Sequence, residues 1–228
     1  MSGRSTTAAN KLGLLVLAVL LSGSVAGEDA RGRLSAQPHD EKVPAELTSA
    51  VASALTPGGV CAIAGSTTID FWFVKVLPLK DGTGAPTWSD AEEGALVGAV
   101  RVSAQFPDIR GRVIKPGVYT LRYGVQPENG DHLGVSPFRQ FLLLSPAALD
   151  KDGAPRGHDG AIELSKRAIG GSHPGVWSID PPVTDKALLA SHVTELQHDA
   201  VIVEIPVKRG SRPGTMRFGI VLIGKIDA

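Results

Sequence analysis

Apolar residues recur along this chain mostly with the two-residue period of strands, and only one stretch has clear helical spacing. Ile69 to Leu77 (IDFWFVKVL) is rich in aromatic and β-branched side chains and stops before Pro78, as a strand does. Leu96 to Phe106 predicts a second strand region, and Val118 to Val125 (VYTLRYGV) a third. In the third, Tyr119, Leu121 and Tyr123 alternate with Val118, Thr120 and Arg122, the pattern of a half-buried strand with Leu121 in the core. Phe138 to Leu144, Gly175 to Ile179, Val201 to Val207 and Met216 to Ile226, with Ile220 in the core, complete the set. Lys208 to Gly214 joins the last two as a hairpin loop whose basic residues read as a solvated tip.

The helical exception is Pro44 to Leu55. Pro44 suits a first helical position, Leu47, Val51 and Leu55 share one face, and Thr56-Pro57-Gly58-Gly59 stops the helix. Residues 145 to 174 have little strand character and leave room for a short helix near Glu163 to Ala168. Strands separated by Gly/Pro loops, without alternating long helices, predict a mostly β fold: an antiparallel β-sandwich, jelly-roll-like or immunoglobulin-like, with one short N-terminal helix.

The first 26 residues have a secretory signal's order: Arg4 and Lys11, the apolar run Leu12 to Leu21, then Ser24-Val25-Ala26 at a cleavage position. That run is shorter than the roughly 20 apolar residues of a membrane-spanning helix. The chain therefore reads as a signal peptide (1–26), a flexible lead-in (27–43) and a single β-sandwich domain (44–228), exported to the periplasm or beyond the cell. Cys61 is the only cysteine, which excludes an intramolecular disulfide, and its apolar neighbours predict a buried, inert thiol. The formal charge is zero, with no clustered basic excess, so no nucleic-acid surface is expected. Envelope or extracellular ligands are the partners left.

Most motif-like spacings fail on chemistry. Gly219 to Lys225 (GIVLIGK) has phosphate-loop spacing, but its interior is wholly apolar and Ile226 stands where a hydroxyl should bind Mg²⁺. Gly170-Gly171-Ser172-His173-Pro174 lacks the closing glycine of a nucleophile elbow. Asp150-Lys151-Asp152-Gly153 opens like a calcium loop, yet Pro155 and Ala161 occupy the positions of its glycine and glutamate, so a surface turn is expected. His192 and His198, with Glu195 between them, would point apart on a helix and lie about 20 Å apart on a strand, and so read as solvated. Trp88 reads as exposed, whereas Trp72 and Trp177 read as core.

The loop Gln126 to Arg139 is the one candidate site. It carries Glu128, Asp131, His132 and Arg139 at one end of the expected sandwich, where His173 from another loop could join it. His132 and His173, with Asp131 and Glu128, would suit Zn or Cu; Ca is the other candidate cofactor, beside none at all. The alternative is a decorated hairpin, with Asn129-Gly130 as its turn and Arg139 paired to Glu128.

At PGVYTLRYGVQPENGDHLGVSPFRQFLLLSP, residues 116–146, the chain resembles an uncharacterised group of exported bacterial proteins. That group has no known activity, so the resemblance implies neither function nor site residues. The Pro-Gly-x-Tyr-x-Leu lead into a strand also resembles extracellular sandwich modules, which bears on fold alone. Three functions follow in order: a non-catalytic exported binding or envelope module, a metal-binding protein using His132 and His173, and a hydrolase of extracellular polymers built on acidic pairs such as Glu128 and Asp131.

Overall fold

The computed structural model describes residues 34–127, 138–181, 187–193 and 196–224. Helix α1 (Ser49–Ala54) separates β1 (Ser35–His39) from β2 (Gly59–Ala64), and β3 (Thr67–Phe73) and β4 (Leu77–Leu79) follow. A 3-10 turn at Trp88–Asp90 precedes β5 (Leu96–Val102), the short pair β6 (Phe106–Pro107) and β7 (Val113–Ile114), and the long β8 (Gly117–Val125). After β9 (Gln140–Pro146) comes the longer helix α2 (Gly157–Ile169). It is followed by β10 (Gly175–Asp180), β11 (Ala190–Val193), β12 (His198–Arg209) and β13 (Arg212–Ile223).

The fold is mostly β, built around one large sheet. Its order is β1-β2-β3-β5-β8-β9-β10-β13-β12-β11, with β4 attached in parallel to β12 and every other named pairing antiparallel. The sheet is not closed: β1 and β11 remain as its edges. It is strongly curled, however. Phe71 on β3 and Trp177 on β10 have ring centroids 5.8 Å apart. Their strands are four steps apart, about 19 Å across a flat sheet. Phe73 and Phe218, one step further apart, are edge to face at 6.5 Å. The concave face thus closes on itself around one hydrophobic cluster, in which Leu121, Trp177 and Ile220 are fully buried.

The convex face is covered too, and this corrects the half-buried reading of β8. Helix α2 and the preceding loop lie over β8, β9 and β10, so Thr120 and Arg122 are as buried as Leu121. Among the described residues there are therefore two helices, and α2, where the sequence leaves room for a short helix, extends well beyond Glu163 to Ala168 in the N-terminal direction. Gly170 ends it in the left-handed region at φ +69°, donating its N–H to Lys166 O.

Elsewhere the elements are shorter or more numerous than the periodicity predicts. The Leu47, Val51 and Leu55 stripe is buried, but the helix starts only after the Thr48 cap, whose hydroxyl accepts the Val51 N–H. The Ile69 to Leu77 run breaks between β3 and β4, where Val74 bridges to Leu55. Part of the expected flexible lead-in is strand β1. It pairs with β2, and His39 Nε2 donates to Phe71 O at 3.1 Å while Nδ1 accepts the Glu41 N–H. Gly59 permits that reach, since a Cβ there would stand 1.8 Å from Phe71 O. The Trp72 indole, on the convex face, donates to Glu41 O and carries the Arg101 guanidinium over its ring.

The expected basic hairpin tip is a two-residue Gly210-Ser211 turn, and Arg209 lies down beneath it, bound to Asp90 and to Gly84 O. Trp88 is not exposed: it stacks on Tyr123 at 5.0 Å and meets Phe218 edge-on at 4.8 Å. Among the described residues, no helix is long and apolar enough to cross a membrane.

Candidate functional site

Beneath the start of α2 lies a buried ionic knot. Arg122 projects from β8 into a fully buried space, and all five of its N–H donors are used. Nε and Nη2 grip Asp150 at 2.6 and 2.8 Å, Nη1 donates to Gly94 O and Ala154 O, and Nη2 also reaches Asp152 O. Thr120 and Arg156 complete the Asp150 carboxylate. Burial alone would push that carboxyl up, but Arg122, Thr120 and Arg156 outweigh it and hold it below the ordinary range. The expected surface turn at Asp150 is thus an internal anchor, and a calcium ion there would have to displace a guanidinium.

Next to this knot, still on the convex face, is a cavity of about 320 Å³. One wall is α2: the four-residue spacing of His158, Ile162 and Lys166 turns them to one face, while Ala161, Ser165 and Ala168 pack inward. Ser165 Oγ lies 2.7 Å from Leu144 O and 3.0 Å from Gly175 O, which fixes the helix to β9 and β10. The opposite wall is the β6–β7 hairpin. Asp108 Oδ1 accepts the N–H groups of Arg110 and Arg112 at 2.9 and 2.8 Å, and Gly111 takes φ +76°. Ile109 anchors this hairpin in a second apolar cluster with Ala200, Ile202 and Val221 of β12 and β13. Arg112 Nη1 then donates to Pro174 O, linking the hairpin to the turn after α2.

The floor comes from β9 and β10, where Phe141, Val176 and Ser178 point outward as Trp177 points inward. Gly124 on β8 makes room for Phe141, whose ring would be 2.6 Å from a Cβ there. Ser178 and Gln126 are buried at the base, and Ser172 and His173 stand exposed at the rim. Burial pushes the Asp108 carboxyl up against its N–H donors, and its Oδ2 has no hydrogen-bond partner among the described residues.

Of the residues expected to form a site, His173 lines this cavity. Glu128, Asp131 and His132 lie outside the described residues. Among the described residues, no group of three or more His, Cys, Asp or Glu side chains could hold a metal ion. Arg139 donates through Nε and Nη2 to Gln126 O, and its expected pairing with Glu128 lies outside the described residues. No described residue lining the cavity carries a carboxylate, so the acid pair of a hydrolase is not formed by them. The Gly170 to Pro174 turn runs from helix to strand, the reverse of a nucleophile elbow. Cys61 is half-buried rather than buried, and burial followed by Asp70 raises its thiol to about 11, where it stays protonated.

His192 is exposed, as expected, and pairs with Asp199 at 2.6 Å, but His198 is not solvated: it is buried, with Nδ1 3.0 Å from Asp180 Oδ2. Burial pushes the Asp180 carboxyl up, partly offset by His198. Arg110, Arg112, His158 and Lys166 line the cavity without being among the expected site residues. Two signals were present: the tight-turn run Asp108-Ile-Arg-Gly-Arg, and the four-residue spacing along α2. Compared with known proteins, the chain matches no family model, no curated protein and no solved structure.

Proposed function

We propose that this chain is an exported, non-catalytic binding module that holds a small ligand in the cavity between α2 and the β6–β7 hairpin. The observation that carries the reading is the cavity's lining. Half-buried Phe138, Phe141, Ile162 and Val176 turn apolar surface toward the same space, where a few polar groups converge. Small-molecule sites have this make-up, and about 300–1,000 Å³ is their usual size. The sandwich architecture belongs to the same proposal, supported by the facing contacts of β3 with β10 and β13.

A neutral fluorescent apolar probe, N-phenyl-1-naphthylamine, should bind saturably at one site, and Ile162→Trp should abolish binding by filling the cavity. The variant's circular dichroism should be unchanged. Saturable binding that survives Ile162→Trp in a folded variant would place the ligand elsewhere and end the reading. Export predicts that the protein isolated from its producing cell begins at or near Gly27. Intact mass decides this, and a chain still carrying Met1 to Leu21 would contradict it.

A further inference from the structure

We infer that the cavity takes an amphiphilic anion: a carboxylate, sulfonate or phosphate head on an apolar body. The inference rests on the cavity being a ligand site and adds the ligand's class. Arg110, Arg112 and Lys166 line the space with permanent positive charge, and His158 and His173 stand beside them. No described lining residue is acidic.

Two of these side chains are answered from outside the lining. Lys166 pairs with Glu163, and His158 Nδ1 lies 2.5 Å from Glu93 Oε2. The hairpin is different. Arg112 has one described side-chain hydrogen bond, to Pro174 O, and the Arg110 guanidinium makes no hydrogen bond or salt bridge among the described residues, although the Asp108 charge attracts it. Burial lowers the Arg110 pKa first and neighbouring Arg112 lowers it further, with Asp108 pulling the other way. Two like charges in a partly dry wall are therefore incompletely compensated, and an oxyanion would relieve both through charge-assisted hydrogen bonds.

The apolar half of the lining sets the rest of the ligand. Phe138, Phe141, Ile162 and Val176 are all half-buried with surface on the cavity. A bare inorganic anion would leave that surface wet, and a neutral apolar molecule would cover the guanidinium groups without pairing them. A single molecule with a charged head and an apolar body satisfies both.

The test uses two probes that share one ring system. N-Phenyl-1-naphthylamine is neutral, and 1-anilinonaphthalene-8-sulfonate carries a sulfonate on the same rings. The protein should bind the sulfonate about tenfold or more tightly, the worth of one charge-assisted pair. An Arg110→Gln/Arg112→Gln double variant should bind both probes alike, and Lys166→Gln should lose part of the preference. Decanoate should displace the sulfonate probe, whereas inorganic phosphate at the same concentration should not. Equal binding of both probes by the unaltered protein overturns the anion inference and leaves the cavity reading standing. A preference that persists in the double variant, or displacement by inorganic phosphate, also overturns it. If neither probe binds saturably, the cavity reading fails and the inference falls with it.

Discussion

Asp150→Ala should destabilise the protein by about 3–5 kcal/mol at neutral pH, because it strands a buried guanidinium without its counter-charge. Arg122 is fully buried and would keep only the carbonyls of Gly94, Ala154 and Asp152. The loop before α2 would also lose the ionic part of its anchor to β8, keeping only the carbonyl contacts of Asp152 and Ala154. Asp150→Asn should be costly as well, since it preserves shape but not charge. Removing both partners, as in Arg122→Met/Asp150→Leu, should cost less than Asp150→Ala, because no uncompensated charge is then buried.

The same pair makes a pH prediction. The folded Asp150 carboxyl titrates below its ordinary value. Its contribution is therefore complete above the unfolded pKa of about 3.9 and is lost as pH falls through the lower folded value. Urea unfolding at pH 7 and in the acid range should show this loss in the unaltered protein, and Asp150→Ala should lack that share of it. A change below about 1 kcal/mol at pH 7 would show that the knot is not what fastens this loop.

Trp177→Ala should cost about 3–5 kcal/mol, the range for deleting a large aromatic side chain from a packed core. The more discriminating experiment couples it to the far side of the curl. In a flat sheet, strands β3 and β10 would be too far apart for Phe71 and Trp177 to interact, and mild changes at the two positions would add. With their rings 5.8 Å apart, the pair Phe71→Leu and Trp177→Phe should be non-additive by about 0.5–1.5 kcal/mol in denaturant unfolding. Additivity would mean that the two halves of the sheet do not face each other.

How far such features can be read from the chain depends on the range of the contact. The buried stripe of α1 and the core positions Leu121 and Ile220 follow from local periodicity, and the structure keeps them. Strand β1 has no alternating pattern: edge pairing with β2 and the His39 and Trp72 contacts hold it, and both involve residues far along the chain. Arg122 reads as a solvent-facing strand residue because nothing local marks Asp150, 28 positions on, as its partner. Trp88 and Arg209 mislead in the same way, since each is covered by an element distant in sequence. The cavity was half legible. His173 stands out in the sequence, but as a metal ligand beside His132, because the sequence has no means of placing α2 and the β6–β7 hairpin on either side of it.

The most direct test of the central claim is an amide NMR titration of the ¹⁵N-labelled protein with N-phenyl-1-naphthylamine. The expected result is a set of shifts that saturate together at one affinity, centred on Arg110, Arg112, Ile162, Lys166, Val176 and Ser178. Residues around Trp88 and Gly210, which do not line the cavity, should stay unmoved. Saturating shifts centred on those residues instead, or shifts scattered over the surface without saturation, would contradict the assignment of this cavity as the ligand site.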